Sequence, residues 1–247
     1  IVATSDEESS MAGSRYLLEC GKPKADYAII GEPTAMQPIF AHKGISMMTI
    51  QLEGASGHSS DPSLGANALD AMHRVMGELI AMREELAAAN QNNAFAVNVP
   101  TMNLGCMRAG DNPNRICGHA ALQIDLRLLP GMDSEAIHEA LERRIAAVVA
   151  NTGVSLQLHK AYPPIPPFQS DPNGDLLGAL SGLSGNQPGT VAFGTEAHFM
   201  QTLGMETVVW GPGSIDQAHQ PNEYLDKAQL APATDTLRRV IQKFCLV

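Results

Sequence analysis

Carboxylate and imidazole side chains follow three short apolar runs of the sequence. Glu7 and Glu8 come after the run IVA, Glu32 follows YAIIG, and His219 lies in the loop after TVVW. Runs that are apolar on both faces are typical of strands in a sheet covered by helices, and such sheets bind ligands at the carboxyl ends of their strands. Zinc accepts both carboxylate and imidazole ligands. The three positions together predict a metal site at one edge of a sheet.

Each of these residues also has a plain structural interpretation when it is taken alone. Adjacent glutamates point in different directions, so Glu8 could bind a metal while Glu7 faces a metal-bound water. An acidic pair can equally stand at a helix N-terminus, where it offsets the macrodipole. Glu32 precedes Pro33 and could be a turn residue, and His219 could be a hydrogen-bonded loop histidine. The residues by themselves leave these alternatives open.

Composition narrows the class of protein. The formal net charge is −10 and no Lys/Arg cluster is present, which argues against nucleic acid and anionic membranes as partners. No apolar run approaches the roughly 20 residues of a membrane-spanning helix. The four cysteines form no paired ligand motif, so we expect reduced thiols, a cytoplasmic protein and metal ligands drawn from histidine and carboxylates.

The middle of the chain, residues 43–161, has the pattern of a ferredoxin-like sandwich. Apolar residues alternate in the predicted strands and recur at helical spacing in the two predicted helices, the second of which is capped by Asp133. The order β-α-β-β-α-β predicts one antiparallel sheet covered by two helices. The predicted segments are strand Ile45–Glu53, helix Ala66–Leu86, strands Val99–Cys106 and Ile116–Leu128, a helix after Asp133, and strand 154–158.

The flanks, residues 1–42 and 162–247, predict an α/β domain that the sandwich interrupts. Their short apolar runs end in polar loops, as strands covered by helices on both faces do. A proline-rich stretch at 161–168 is expected to be a stiff return linker. The predicted strands of this domain are Ile1–Thr4, Tyr27–Gly31, Thr190–Phe193 and Thr207–Trp210.

Seven sequence blocks carry a resemblance to a known family. TSDEES, IIGEPT, GASGHSSDP, GDNPNRI, DLRLLPG, FGTEA and GPGSIDQAHQPNEYL occur in that order along the chain. Together they resemble the di-zinc aminoacylase and carboxypeptidase family. The resemblance implies an α/β fold, in which a metallopeptidase-like α/β/α catalytic domain is interrupted by an inserted ferredoxin-like lid and dimerisation domain. It also implies a homodimer and a small N-acyl amino acid substrate.

The same resemblance implies roles for the residues that follow the apolar runs. Glu7 would be the general base, and Glu8, Glu32 and His219 would be metal ligands. The cofactor would be two zinc ions per full-length subunit, with cobalt as a substitute. The reaction would be amide hydrolysis of an N-acyl amino acid, with N2-acetyl-L-ornithine favoured and a desuccinylase or dipeptidase as the alternative. A non-catalytic ferredoxin-like binding module is the alternative from another class.

Four further residues receive roles from the resemblance. His58 would stabilise the oxyanion from across the dimer, although it could be a plain surface residue. Arg127 and Asn114 would bind the substrate carboxylate, although Arg127 shares a strand face with Asp125 and could simply form a local ion pair. Glu196 could face the amine of the substrate side chain or be a helix-start acid. His42 and His198 are expected to be structural.

One departure from the family pattern limits what this chain is expected to do. The family has a further histidine ligand in an H-x-D motif and an aspartate that bridges both metals, and no H-x-D occurs here. We therefore expect the sequence to correspond to the C-terminal part of a longer enzyme. Without the bridging carboxylate it should hold one loosely bound ion or none, and the chain by itself should be inactive.

Overall fold

The computed structural model describes residues 1–246, which form two compact units. The interrupted unit comprises Ile1–Lys43 and the chain from Pro167 onward, and the inserted unit comprises Gly44–Pro166. The strands are β1 (Tyr27–Ile30), β2 (Ile39–His42), β3 (Gly44–Glu53), β4 (Thr101–Ala109), β5 (His119–Leu128), β6 (Ser155–Lys160), β7 (Phe168–Gln169), β8 (Gly189–Val191) and β9 (Glu206–Val209). The helices are α1 (Ala12–Glu19), α2 (Ala68–Ala89), α3 (Ser134–Val149), α4 (Asp175–Ser184), α5 (Ala197–Thr202) and α6 (Leu230–Cys245). In this described part of the chain, no helix has both the length and the apolar character needed to cross a membrane.

The inserted unit has the predicted β-α-β-β-α-β order. Its four strands form one antiparallel sheet in the order β4-β5-β3-β6, the ferredoxin-like arrangement. The alternating apolar residues of β3 and β5 stand opposite one another, as in the pair Ile50 and Leu122, and both are buried. The apolar stripes of α2 and α3 pack against the same sheet face, so one core holds the unit together.

The two helices of the inserted unit begin at side-chain caps. Asn67 accepts hydrogen bonds from two backbone N–H groups of α2, and Asp133 does the same for α3 as the sequence predicts. Arg144 of α3 reaches across to α2, where it contacts Glu78 and makes a bidentate pair with Glu85 at 2.6 and 2.9 Å. The side-chain caps fix where the two helices begin, and the ion pairs of Arg144 fix how α2 and α3 face each other.

The interrupted unit contains a mixed sheet whose path runs β1-β9-β2-β7, with β8 also paired to β2. β1 and β9 are parallel, and β2 runs antiparallel to β9. Consecutive residues of β9 point to opposite faces of this sheet. Val208 packs in the cluster that contains Leu180 of α4 and Val240 of α6, whereas Val209 packs with Ala197 of α5. Helices therefore cover both faces, as the apolar runs predict.

The predicted strand at Ile1–Thr4 is wrong. This segment has no strand pairing in the described part of the chain, and Ile1 and Val2 are exposed. Both residues line a cleft beside β1 instead. An apolar run indicates which residues could be buried, but a strand also needs a neighbour whose N–H and C=O groups complete the ladder. The sequence pattern cannot show whether that neighbour is present.

His42, at the end of β2, is a fully buried polar residue of the interrupted unit. The backbone N–H of Thr195 donates to its Nε2 at 3.4 Å, so Nδ1 carries the proton and donates to the carbonyl of Lys43 at 2.9 Å. The ring also lies 5.3 Å from that of Phe168, centroid to centroid. Burial lowers the pKa of His42 to about 4, because the charged imidazolium cannot be solvated there.

We expect His42 to make the protein acid-sensitive. Its folded pKa of about 4 lies below the unfolded value of 6.5, so its contribution to stability is complete above pH 6.5 and is lost as the pH falls towards 4. The loss should reach about 3 kcal/mol at the acid limit. His42→Gln cannot titrate and should remove this part of the pH dependence in urea unfolding. His73→Gln, at an exposed position of α2, is the control. Equal curves for the chain and His42→Gln would contradict the prediction.

Candidate active site

Glu7 and Glu8 lie in a turn that precedes α1. The carbonyl of Asp6 accepts the backbone N–H of Met11 at 2.7 Å, and Asp6 itself has a left-handed φ of 60°. α1 begins at Ala12 and has no acidic residue in its first turn, so the pair does not cap the helix. Glu7 is half-buried and Glu8 is exposed. The turn therefore directs the two adjacent carboxylates into different surroundings.

Glu32 follows β1 and is held by the loop that follows β9. The backbone N–H of Met36 donates to the carbonyl of Gly211 at 2.9 Å, and that of Ala35 donates to the carbonyl of Gly213 at 2.6 Å. Gly211 packs so closely on Glu32 that a Cβ there would lie 2.6 Å from the Glu32 carbonyl oxygen. Only glycine allows this approach, which fixes Glu32 at the carboxyl end of the β1–β9 pair.

His219 is brought to Glu8 by the same loop. Its backbone adopts a left-handed φ of 61°, and its N–H donates to the carboxylate of Glu223 at 3.1 Å. Nε2 of His219 lies 3.3 Å from Oε2 of Glu8, and both side chains are exposed. A left-handed backbone at a residue other than glycine is uncommon and is often found at functional sites.

Glu196 stands at the N-cap of α5, but its side chain does not cap the helix. Its two carboxylate oxygens accept hydrogen bonds from the hydroxyls of Thr4 and Ser14, at 2.8 and 2.7 Å. Ser14 is completely buried. The sequence gives no signal for Thr4 or Ser14, because an isolated hydroxyl has no periodicity or spacing that marks a partner so far along the chain.

Electrostatics show that these carboxylates form one cluster. The pKa of Glu32 is raised to about 7, chiefly by burial and then by the negative charges of Glu7, Glu8 and Glu196. The pKa of Glu7 is raised by burial, then by Glu8 and Glu196, while His219 acts in the opposite direction. The structure thus brings together five residues that the sequence analysis singled out in this unit.

The cluster supplies the right kinds of zinc ligand but not enough of them. Within residues 1–246, no group of three His, Cys, Asp or Glu side chains converges so that it could hold a metal ion. Catalytic zinc sites use three protein ligands. Glu8 and His219 are in contact, and the negative charge of Glu8 raises the pKa of Glu32. The three expected ligands nevertheless do not converge on one position. This donor set therefore fits zinc in type and falls short in number.

In the inserted unit, the structure brings His58 and Asn114 into neighbouring loops. His58 forms an isolated β-bridge with Arg115, and the carbonyl of Asn114 accepts the backbone N–H of Ser59 at 3.1 Å. The backbone N–H of Ser60 donates to Nδ1 of His58 at 3.2 Å. Nδ1 is then an acceptor, so the neutral ring carries its proton on Nε2. His58 is exposed and presents this N–H as a donor.

Arg127, on β5, forms an ion pair with Asp125, the structural alternative to substrate binding that was considered from the sequence. Its Nε lies 3.0 Å from both carboxylate oxygens of Asp125, and both side chains are partly exposed. The pair uses Nε alone, so the two Nη groups keep N–H donors that could meet a ligand. The ion pair and a binding role are therefore compatible in this geometry.

The raised pKa of Glu32 predicts a stabilising substitution. A carboxyl whose folded pKa lies near 7, above the ordinary 4.5, makes the folded state less stable as the pH rises through that interval. In the presence of a chelator, Glu32→Gln should raise the free energy of unfolding by roughly 1–2 kcal/mol at pH 8, after allowance for solvent screening. It should have little effect at pH 4. Glu19→Gln, at an exposed position of α1, is the control. A Glu32→Gln protein that is less stable at pH 8 would contradict the unfavourable burial of the charged Glu32 carboxylate among its neighbours.

Comparison with known proteins shows what this chain is similar to. Residues 40–152 match the model of the peptidase dimerisation domain. The chain is 42% identical over 245 residues to an acetylornithine deacetylase of Pectobacterium atrosepticum, a match that covers 99% of this chain and 64% of that protein. The chain thus spans slightly less than two thirds of the length of this relative.

Solved structures show the same fold. A tripeptidase from Staphylococcus aureus superposes with a TM-score of 0.70 at 15% identity, over 94% of this chain and 62% of that chain. An M20 family metallo-carboxypeptidase from Sulfolobus solfataricus gives 0.69 at 18% identity, over 95% and 67%. The predicted α/β architecture with an inserted ferredoxin-like domain is confirmed by these folds. Residues 40–152 are similar to the peptidase dimerisation domain, and the chain over nearly its whole length is similar to an acetylornithine deacetylase.

Proposed function

We propose that this chain serves the hydrolysis of N2-acetyl-L-ornithine to L-ornithine and acetate, a cytoplasmic step of arginine biosynthesis. The observation that supports this most is the 42% identity to an acetylornithine deacetylase, which extends over 99% of the chain. The interrupted unit also contains a cluster at which amide hydrolysis could occur, formed by Glu7, Glu8, Glu32, Glu196 and His219. A pure dimerisation module would have no use for such a cluster.

The proposal includes zinc, two ions per full-length subunit, with cobalt as a substitute. Glu8, Glu32 and His219 would be ligands, and zinc would polarise the amide carbonyl and lower the pKa of a bound water. The described residues bring too few ligands together to hold these ions. We therefore propose that the 247-residue chain by itself is inactive, and that it acts with the ligands which the rest of a full-length relative would add.

Glu7 is proposed as the general base. It is half-buried beside Glu8 and Glu196, and both its burial and these negative charges raise its pKa. A carboxylate with a raised pKa takes a proton from water and returns it to the leaving amine more readily at neutral pH. Glu8, directly next to it, contacts His219 and faces a different direction, so the two glutamates would have separate tasks.

The inserted unit is proposed to supply substrate-binding residues and the homodimer contact. The Nε2–H group of His58 could donate a hydrogen bond to the oxyanion of the tetrahedral intermediate, from across the dimer. The Nη groups of Arg127 and the side chain of Asn114 would bind the α-carboxylate that N-acyl amino acids share. The matched dimerisation domain supports the homodimer.

Glu196 is proposed to recognise the side-chain ammonium of ornithine. The hydroxyls of Thr4 and Ser14 hold one oxygen each, and a carboxylate has further lone pairs free to accept from an ammonium group. Two fixed hydrogen bonds orient the carboxylate before the substrate arrives, which lowers the entropic cost of binding.

The test of the activity uses a chimera in which this chain is joined to the part of the Pectobacterium relative that it does not span. We expect zinc-dependent acetate release from N2-acetyl-L-ornithine by the chimera and none by the 247-residue chain. Glu7→Gln should lower kcat at least ~10³-fold without loss of bound zinc, because it removes the base and keeps the ligands.

N-succinyl-diaminopimelate is the competing substrate in this assay. Preference for it would replace the proposed substrate within the same family. Turnover of neither substrate by a zinc-loaded chimera would leave the homology intact and overturn the proposed activity. Equal rates for the Glu7→Gln chimera and the unaltered one would remove Glu7 from the role of base.

The role of Glu196 is tested by comparing two substrates. N2-acetyl-L-ornithine and N-acetyl-L-norvaline differ in the terminal ammonium, so the chimera should prefer the first. Glu196→Gln should lower kcat/KM for acetyl-ornithine by ~10–100-fold and leave that for acetyl-norvaline nearly unchanged. An equal loss on both substrates would show that Glu196 acts on the carboxylate cluster and not on the substrate.

A further inference from the structure

The turn that carries Glu7 and Glu8 is enclosed by two strained backbone positions. Asp6 and Met11 have left-handed φ values of 60° and 53°, and neither residue is glycine. Such a conformation persists only where surrounding contacts hold it. Within the turn, the carbonyl of Asp6 accepts the backbone N–H groups of Ser9 at 3.2 Å and Met11 at 2.7 Å. The turn therefore needs contacts from neighbouring elements to keep its shape.

Arg15, on α1, supplies one such contact. Its Nε donates to the carbonyl of Ser10 at 2.9 Å. Ser10 lies directly before Met11, so this hydrogen bond fixes the end of the turn that leads into the helix. Arg15 is only partly exposed, which shields the bond from water. Because the guanidinium is planar and rigid, the direction of this bond also sets the orientation of the whole group.

The guanidinium of Arg15 lies over the ring of Phe199. Its Cζ is 5.2 Å from the ring centroid, within the range of a cation–π interaction. Phe199 is buried in α5, and its backbone N–H donates to the carbonyl of Glu196 at 3.0 Å. The aromatic ring therefore gives Arg15 a fixed surface next to the start of the helix at Glu196.

Two neighbouring residues of α1 thus reach the same part of α5. The hydroxyl of Ser14 donates to the carboxylate of Glu196 at 2.7 Å, and the Arg15 guanidinium contacts Phe199. Arg15 alone of these two also bonds to the turn that carries Glu7. It therefore ties that turn to the helix that begins at Glu196.

We propose that Arg15 is a positioning residue for the hydrolysis, which holds the Glu7 carboxylate in place through the backbone of its turn. This inference rests on the proposed function, because Glu7 is the base proposed there. A displacement of about 1 Å in a reacting group can cost ~100-fold in rate. Lysine would not replace Arg15, because its ammonium is a single point charge that cannot bond to the carbonyl and lie flat on the ring at once.

The first experiment places Arg15→Met in the chimera. Methionine keeps an unbranched stem against Phe199 and removes the guanidinium. We expect kcat for N2-acetyl-L-ornithine to fall ~10–100-fold while KM changes less than ~3-fold, because the base is misplaced and the substrate contacts remain. Arg238→Met is the matched control, at an exposed position of α6, and should leave kcat unchanged. An unchanged kcat in the Arg15→Met chimera would overturn the proposal.

A double variant separates positioning of Glu7 from general support of the fold. Arg15→Met should change the residual kcat of the Glu7→Gln chimera less than ~2-fold, because the base that Arg15 positions is already absent. The fall in melting temperature caused by Arg15→Met should be the same in both backgrounds. An equal loss of kcat in both backgrounds would show that Arg15 supports the structure and does not act through Glu7, which would overturn the proposal.

Hydrogen exchange in the 247-residue chain, read by NMR, tests the turn without any activity. Arg15→Met and Arg15→Lys should each speed exchange of the backbone amides of Ser9 and Met11 at least ~10-fold and leave β9 unchanged. Unchanged exchange at these two amides in either variant would overturn the role of the guanidinium. If exchange responds as expected while the unaltered chimera does not cleave acetyl-ornithine, the hold of Arg15 on the turn stands and the proposed activity falls.

Discussion

The close grouping of Glu7, Glu8, Glu32 and Glu196, two of them partly buried, is the constraint on which the interrupted unit depends. Burial and the neighbouring negative charges raise the pKa of both Glu7 and Glu32, that of Glu32 to about 7. No local interaction would bring these groups together. The parallel pairing of β1 with β9 and the hydrogen bonds between the loops that follow them impose the arrangement. The strand pairing and loop hydrogen bonds of this unit therefore compensate for the unfavourable free energy of grouping these carboxylates.

The interactions around the cluster divide the carboxylates into different states. Glu196 receives two hydroxyl hydrogen bonds, Glu8 lies beside an imidazole, and Glu32 has the charges of its neighbours as the main influence after burial. Carboxylates with different partners and different burial can have different tasks within one site. The sequence alone does not distinguish these four glutamates, and only their partners and burial in the folded structure do.

The inserted unit depends on a different kind of interaction. Apolar stripes on two helices meet the alternating face of a four-stranded sheet, and side-chain caps mark where both helices begin. These features are local, so the cap Asp133 and the alternation through Leu122 to Leu128 could be recognised from the sequence. The ends of the elements differ from the predicted ones by a few residues, because final pairing and fraying depend on neighbours. β1 shows the limit of such patterns, since its apolar composition describes an interior strand and its position is at an edge.

The sequence by itself determined the α/β class, the inserted β-α-β-β-α-β order and the identity of most residues in the candidate site, because period, caps and motif blocks are local properties of a chain. Only the tertiary structure decided that Ile1–Thr4 pairs with no strand, that Glu196 binds the hydroxyls of Thr4 and Ser14, and that Glu8 meets His219. The physical reason is distance along the chain. Contacts between residues roughly two hundred positions apart follow from how strands and loops pack in space, and no periodicity encodes them.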